Sequence, residues 1–277
     1  MQAGMEYYLA KKEWKFAARV AGNLSELCLT MGDIAQAQEY AKKSVELADK
    51  SNDASEQITT RTILADALHQ AGSISEAENH FRKSEEMQKK MQPLHPILYS
   101  LRGFHYCDLL LNQRKYKKVL SRAGKTLESV TSVEWFLDIA MDNLSIGRAY
   151  LLQAIHKKKY DFTSASEHLT LAVDGLRRSG QQYLLPHGLL SRSELYIVQE
   201  DFEKASHDLD EAMTIAQRGE MGLHQADCRL GYARLFLAMG NKEKARGELA
   251  IAKEMIGKMG YHRRDEEVKE LEARLKL

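Results

Sequence analysis

Residues 25–44 read SELCLTMGDIAQAQEYAKKS, and three small residues in this stretch, Ser25, Ala37 and Ser44, begin a pattern that recurs along the chain. Six such sets occur, the fourth with an insertion, Ile155 to Asp161, between its first two members. The first members are Ser25, Ala65, Cys107, Gly147, Ser193 and Ala233; the second are Ala37, Ala77, Val119, Ala165, Ala205 and Ala245; the third are Ser44, Ser84, Thr126, Ala172, Ala212 and Ala252. Successive second members are 40, 42, 46, 40 and 40 residues apart. A fixed period in the range of about 20–50 residues predicts stacked supersecondary units rather than one globular core.

A short polar or glycine-containing break separates the first and second small residues of each set. Glycine appears in this break at Gly32, Gly72 and Gly240, and glycine readily adopts the left-handed conformation that ends a helix. Each unit therefore predicts a first helix, a tight turn and a second helix, which we call helix A and helix B. Two antiparallel helices approach closely only where their side chains are small, so the small residues predict the contact points of A and B.

The order of a small residue, a bulky residue three positions later, a turn and two alanines seven residues apart resembles the tetratricopeptide repeat. The resemblance covers roughly residues 17–260. The chain departs from that family in three ways. The early tryptophan of the family pattern is replaced, and its closing proline is absent. The period is longer than the familiar unit of about 34 residues. The resemblance implies an all-α fold, a right-handed α-solenoid of helix–turn–helix units with a period of about 40 residues.

The repeat pattern predicts one continuous array. Its predicted parts are a partial or capping helix at 3–16, units at 17–57, 58–96, 97–133, 134–180, 181–221 and 222–260, and a C-terminal capping helix at 261–277. The breaks between units include Pro93 to Pro96 and Ser129 to Ser132, where a helix must stop. Residues 3–11 resemble the tail of a helix B without its helix A, so we expect the array to continue upstream in a longer protein. An ordinary N-terminal capping helix is the alternative.

The composition limits the classes of partner. The formal net charge is +1 with 29% charged residues, whereas a dedicated nucleic-acid binder is normally strongly basic. There is no apolar run of 18 residues and no N-terminal secretory pattern, so we expect no membrane span. Cys28, Cys107 and Cys228 lie in different units without metal-ligand spacing. They suit a reducing compartment, and we predict a cytoplasmic protein without a metal or a cofactor.

Catalytic motifs are not visible in the sequence. The chain has no glycine-rich phosphate loop ending in Lys-Ser/Thr, no HExxH and no CxxC. Its ten histidines are scattered. His105 and His187 lie near the predicted binding face, but neither has a convincing nucleophile beside it at helical spacing. We therefore predict a binding protein and not an enzyme.

One charged residue follows the first small residue in every unit. These residues are Glu26, Asp66, Asp108, Arg148, Glu194 and Arg234. In tetratricopeptide arrays this position lies on the concave face, so the resemblance implies a ligand-facing role. The simpler interpretation is a ladder of ion pairs from Asp108 to Arg234, each exposed pair contributing about 0–1 kcal/mol. Glu26 and Asp66 lack a basic neighbour in this ladder, which predicts an acidic N-terminal end that favours Lys or Arg on the partner.

Two further positions of helix A are mostly apolar in units three to six. The candidates for a ligand groove at these positions are His69, Phe104, Leu151 and Ile197. Such a stripe either packs against the next helix A or forms an exposed groove for an amphipathic helix or an extended peptide. The solvent accessibility of Leu151 and Ile197 distinguishes the two. A subset of the family grips a C-terminal carboxylate with Lys and Asn residues, and the matching positions here lack them.

Two basic clusters lie at the predicted A–B turns of units three and four. Their lysines are Lys115, Lys117, Lys118, Lys157, Lys158 and Lys159. Because these turns belong to adjacent units, both clusters are predicted on the same rim. A solvated rim is the first interpretation. Contact with nucleic acid or another anionic partner is the second, and a steep fall of binding with salt would favour it.

The stretches NLSELCLTMGD and GYHRRD, with others between the repeats, resemble C-terminal repeat regions of bacterial multidomain signalling proteins. That resemblance implies a sensor region that binds a protein or peptide and releases an upstream switch or effector domain. A peptide-pheromone receptor is one alternative, although no DNA-binding or effector segment is visible in front. Self-association through an unfinished N-terminal end is another, since an uncapped repeat exposes apolar surface.

Overall fold

The computed structural model describes residues 2–129 and 136–276, with only the backbone of Gln2. Within these ranges the fold is all-α, without strands, which confirms the predicted class. The α-helices are α1 Gln2–Ala10, α2 Trp14–Met31, α3 Ile34–Ser51, α4 Ala54–Gln70, α5 Ile74–Met91, α6 Ser100–Asn112, α7 Tyr116–Ser129, α8 Phe136–Lys157, α9 Thr163–Arg178, α10 Leu185–Val198, α11 Phe202–Arg218, α12 Gly222–Ala238, α13 Lys242–Met259 and α14 Asp265–Leu275. Short 3₁₀ helices lie at Gln182–Leu184 and His262–Arg264. The predicted break Ser129 to Ser132 falls mostly outside the described ranges.

Helices α2 to α13 form consecutive helix–turn–helix pairs, as the repeat predicts. The A helices are α2, α4, α6, α8, α10 and α12, and the B helices are α3, α5, α7, α9, α11 and α13. Gly32, Gly72 and Gly240 hold positive φ angles of 96°, 83° and 78° at three A–B turns. Arg114 and Glu200 adopt the same left-handed region at two other turns. A non-glycine residue therefore ends helix A where the sequence offers no glycine. No described helix combines the length and apolarity that crossing a bilayer requires.

All of the small residues of the repeat are buried, and two of them show how the helices of a pair meet. Ser25 Oγ donates a hydrogen bond of 2.7 Å to the carbonyl oxygen of Ala37, so the first small residue contacts the second directly. A Cβ atom added at Gly147 would lie 2.8 Å from Leu169 Cγ. These two residues therefore lie at contact points of helices A and B, as predicted, whereas Thr126, a third small residue, contacts Asp142 of the next helix pair.

Replacing Gly147 with alanine is expected to lower the free energy of unfolding by about 1–3 kcal/mol. The added Cβ would meet the Leu169 side chain at 2.8 Å and its backbone nitrogen at 3.0 Å, so α8 and α9 would have to separate. Urea denaturation followed by circular dichroism measures the change.

Gly247 provides the matched control for Gly147. It lies inside α13, and an added Cβ would have no neighbour within 4 Å. Gly247→Ala should therefore stabilise the chain by about 0.5–1 kcal/mol, since alanine is the better helix former. Equal losses at both glycines would contradict the close approach of α8 and α9.

The described chain divides into two compact units, and the first comprises Met1–Leu98 and Met259–Arg263. Its N-terminal end is a cluster of small and aliphatic residues in α2 and α3, covered by apolar residues of α1 and the start of α2. The cluster comprises Ala17, Ala18, Ala21, Leu47 and Ala48, with Met5, Tyr8, Leu9 and Trp14 packed against it. Arg263 Nη1 donates to Gln70 Oε1 at 3.0 Å, which attaches the second segment of this unit to α4.

The second unit comprises Tyr99–Lys258 and Arg264–Leu277 and holds a large hydrophobic cluster that runs from α6 to α12. Leu144, Leu169 and Leu189 are fully buried in it. Helix α14 turns one apolar stripe inward and is otherwise mostly charged. The buried residues of that stripe are Val268, Leu271 and Leu275.

Helix α8 is 22 residues long and differs from the predicted unit at its C-terminal end. The sequence places an insertion at Ile155 to Asp161 between helices, but the structure continues α8 as far as Lys157. Nothing in Ile155 to Lys157 disfavours a helix, so only the remainder forms the connection to α9. Lys158 ends α8 with a left-handed φ of 52°.

Candidate functional site

In the second compact unit, two of the charged residues predicted to lie on the A-helix face form an ion pair between neighbouring A helices. Arg148 Nη2 of α8 lies 2.7 Å from Asp108 Oδ1 of α6, and the two side chains are only 17% and 6% exposed. This pair corresponds to the first step of the ladder interpretation. It holds the guanidinium of Arg148 in a fixed position on the A-helix face.

At its C-terminal end, the observed ion pairs differ from those that the ladder interpretation predicts. Arg234 of α12 pairs with Glu267 of α14 at 2.5 Å. Arg264 donates two hydrogen bonds of 2.8 Å to the carboxylate of Asp227, and its Nη1 donates to Glu267. Burial works to lower the pKa of Arg234, but the carboxylates of Glu267 and Glu194 outweigh it and raise that pKa. The C-terminal segment thus supplies charged groups to this face that the repeat spacing does not reveal.

A row of aromatic rings lies beside these ion pairs. The rings of Phe104 on α6 and His187 on α10 have centroids 5.3 Å apart. His187 meets His224 of α12 edge to face, with centroids 4.4 Å apart and an angle of 88° between the planes. Ring contacts therefore join three A helices, α6 to α10 and α10 to α12, and both histidines remain partly accessible.

Burial disfavours the charged form of both imidazoles. Burial lowers the pKa of His187 well below its ordinary value, and the neighbouring His224 lowers it further. Burial also lowers the pKa of His224. His224 Nδ1 is buried and has no hydrogen-bond partner among the residues that the structure describes. This nitrogen is a polar position that a ligand or water can fill.

The apolar candidates of the A-helix face do not share one environment. Phe104 and Leu151 are 3% and 1% exposed, which corrects the groove hypothesis for these two. Their side chains lie in the core because α6, α8 and α10 pack against one another. Ile197 is partly exposed and packs in part against buried residues of α11 and α12. Accessibility thus favours packing for Leu151, whereas Ile197 combines packing with a partly exposed side chain.

Of the two acidic residues predicted to favour Lys or Arg on the partner, only one is exposed. Glu26 is exposed, whereas Asp66 is buried and accepts a 2.7 Å hydrogen bond from Gln70 Nε2. His69 is fully buried. Helix α4 lies against α2, α3 and α5, so its supposed ligand-facing positions face neighbouring helices. The structure therefore corrects the expectation for Asp66 and His69.

Both basic clusters lie in the second compact unit, at the A–B turns of repeat units three and four. Five of the six lysines are exposed, and Lys115 is partly buried. The ring centroids of Tyr116 and His156 are 6.3 Å apart. This contact brings the start of α7 and the end of α8 together, so the two clusters are neighbours, which is the arrangement that a common rim requires.

One group of side chains has the composition of a metal site. His207, Asp208 and Glu211 bring their ligand atoms within 4.8 Å of one another. Both carboxylates are already paired: Asp208 with Arg192 at 2.7 Å, and Glu211 with Arg177. Two guanidinium groups neutralise the acids, so the arrangement does not call for a cation.

A cavity of about 920 Å³ lies beside the end of α8, between the turns that follow α8 and α10. Tyr160, Phe162 and Glu200 are among its lining residues. Tyr160 is 79% exposed. Sequence reasoning did not identify this cavity, and the only signal near it is the insertion in the fourth unit.

Comparison with known proteins agrees with the repeat assignment. A family model described as "Tetratricopeptide repeat" matches residues 16–90, which correspond to most of α2 through α5. The comparison with curated proteins found no match.

Among solved structures, the chain is similar to one described as "Crystal Structure of Rap Protein Complexed with Competence and Sporulation Factor". The TM-score is 0.63 at 15% sequence identity, and the alignment covers 98% of this chain and 78% of that one. At this identity the similarity shows the fold alone. The fold is thus a tetratricopeptide-like helical repeat.

Proposed function

We propose that this chain is a protein- or peptide-binding sensor module that holds its ligand on the A-helix face of the second unit. The observation that carries the proposal is the concentration of partly accessible polar groups on that face. Arg148, His187, His224 and Arg234 come from three consecutive A helices.

The A-helix face is well suited to recognition because its polar groups are held in place before a ligand arrives. Arg148 and Arg234 are fixed by carboxylates of neighbouring helices. The partly exposed Ile197 and Glu194 lie one turn apart on α10 and offer an apolar and an acidic contact. Pre-organised side chains on helices lose little conformational freedom on binding, which favours affinity. Helical repeats of this kind serve as binding scaffolds, and we propose no catalytic activity.

A receptor for a signalling factor is the more specific form of this proposal. The structural neighbour is a Rap protein in complex with Competence and Sporulation Factor, and this supports a receptor role over that of a passive scaffold. We propose a bacterial, cytoplasmic setting, which the three free cysteines also support. In a larger signalling protein, the ligand would shift an attached domain by its different affinities for two states of the repeat.

Self-association is a second candidate function of the N-terminal helices. Tyr7, Phe16, Leu27 and Met31 are large apolar residues on α1 and α2, each at least 41% exposed. Their exposure favours contact with a second copy. Light scattering of the chain on serial dilution tests this: a mass that stays at one protomer at every concentration contradicts it.

A double substitution on α10, Glu194→Arg with Ile197→Ser, should weaken ligand binding at least tenfold. Both side chains are partly exposed on the proposed face, and one charge reversal plus one lost apolar contact exceeds about 1.4 kcal/mol. The probe is a set of nonapeptides selected from a random displayed library on the full chain. Calorimetric titration measures the affinities.

The matched control carries the same kinds of change on B helices. Glu203 of α11 and Leu171 of α9 are exposed, so Glu203→Arg with Leu171→Ser should leave affinity unchanged. Peptides that tolerate the α10 substitutions but fail on the B-helix variant would contradict the proposed face, and a library without any enriched peptide would contradict the proposed function.

A further inference from the structure

The A-helix face of the second unit carries two imidazole rings in contact with each other, those of His187 and His224. The ring centroids are 4.4 Å apart, and the rings belong to neighbouring A helices, α10 and α12. Both residues are partly accessible to solvent. His224 Nδ1 is buried and has no hydrogen-bond partner among the described residues, so one polar atom of the pair is unsatisfied in the free protein.

The charged groups that act on the pair balance one another. His105 and Asp108 of α6 and Arg148 of α8 act on His187. Asp227 of α12 and Arg264 act on His224.

Each arginine in this set is bound to one of the carboxylates, Arg148 to Asp108 and Arg264 to Asp227. The surroundings are therefore close to neutral while the imidazoles are uncharged. An added negative charge can be compensated there by protonating an imidazole.

We propose that the His187–His224 pair is a subsite for a carboxylate of the bound peptide, and that an imidazole takes up one proton from the buffer when the carboxylate binds. The carboxylate is an Asp or Glu side chain or the C-terminal group. The inference rests on the proposed function and names the chemistry of its ligand.

The physical reason is linkage between the two charges. In the free protein, burial and neighbouring cationic groups hold both imidazole pKa values below the ordinary range. A carboxylate against the ring favours the imidazolium and raises its pKa in the complex. The complex then binds more protons than the separate partners, so affinity must rise as the pH falls.

Proton counting on the unmodified chain tests the inference. Acidic peptides recovered from the displayed nonapeptide library are titrated between pH 6 and 8 in buffers of different ionisation enthalpy. We expect an uptake approaching one proton per peptide and affinity up to about tenfold higher for each pH unit lost. C-terminal amidation and Asp→Asn or Glu→Gln changes in the peptide distinguish the two sources of the carboxylate.

Variants of the chain provide the second readout. His187→Gln and His224→Gln should abolish the proton uptake and flatten the pH dependence, whereas His207→Gln, on the exposed side of α11, should change neither. If one of these variants fails to fold, the other variant and the proton uptake of the unmodified chain still test the inference. Peptides that bind the A-helix face without proton uptake, or without a carboxylate, overturn the inference but leave the proposed function intact. A library without enriched peptides overturns both.

Discussion

Replacing Arg192 with alanine should lower the free energy of unfolding by about 3–5 kcal/mol. Arg192 of α10 binds Asp208 of α11 through two hydrogen bonds, Nε–Oδ2 at 2.7 Å and Nη2–Oδ1 at 2.8 Å. The side chains are 12% and 3% exposed. Without the guanidinium, the carboxylate of Asp208 would stay buried without its counter-ion. Urea denaturation at pH 7 measures the loss.

A second ion pair, which is exposed to solvent, serves as the control. Lys258 and Glu254 are paired within α13, with side chains 73% and 65% exposed. Lys258→Ala should change stability by less than about 1 kcal/mol, since exposed pairs contribute little. Replacing both Arg192 and Asp208 with leucine should recover much of the loss, because no buried charge remains. Equal small losses at Arg192 and Lys258 would contradict the structural role of the buried pair.

Replacing Asp142 with asparagine should stabilise the protein at pH 8 by about 4 kcal/mol and change little near pH 4. Burial raises the pKa of Asp142 from 3.8 to about 7, although its hydrogen bond with Thr126 works in the opposite direction. The folded state therefore holds this proton more tightly than the unfolded state. The stability that the protonated carboxyl provides is present below pH 4 and is lost as the pH rises to about 7.

Asparagine keeps the hydrogen bond and removes the titration. Thr126 Oγ1 donates to Asp142 Oδ1 at 2.8 Å, and an amide oxygen accepts equally well. Thermal unfolding from pH 4 to 8 compares the variant with the unmodified chain.

Asp161 provides the contrasting carboxylate. It accepts the Thr163 N–H, which lowers its pKa, and it is exposed. Asp161→Asn should therefore show no gain at high pH. A parallel pH dependence for Asp142→Asn and the unmodified chain would contradict a raised pKa at Asp142.

The repeat could be predicted from the sequence because its determinants are local. A small residue such as Gly147 or Ser25 is required wherever two helices touch, and turns must follow at a fixed distance. These requirements act within one helix pair, so they are visible as a period. The length of α8 was harder to predict, because Ile155 to Lys157 are compatible with both a helix and a loop.

The candidate site was only partly predictable because it depends on how neighbouring pairs pack. Asp66 and Leu151 occupy repeat positions that face a ligand in the family, yet both are buried, since side-by-side A helices cover them. The His187–His224 contact joins different helix pairs. Arg264 reaches Asp227 from a segment outside the repeat pattern. No local spacing encodes these contacts.

Hydrogen–deuterium exchange of the full chain, with and without a library-selected peptide at saturation, tests the central claim most directly. We expect slower exchange in the A helices of the second unit, above all Leu185–Val198 and Gly222–Ala238, because these segments carry the proposed face. Slower exchange confined to the B helices Phe202–Arg218 and Lys242–Met259 would contradict it.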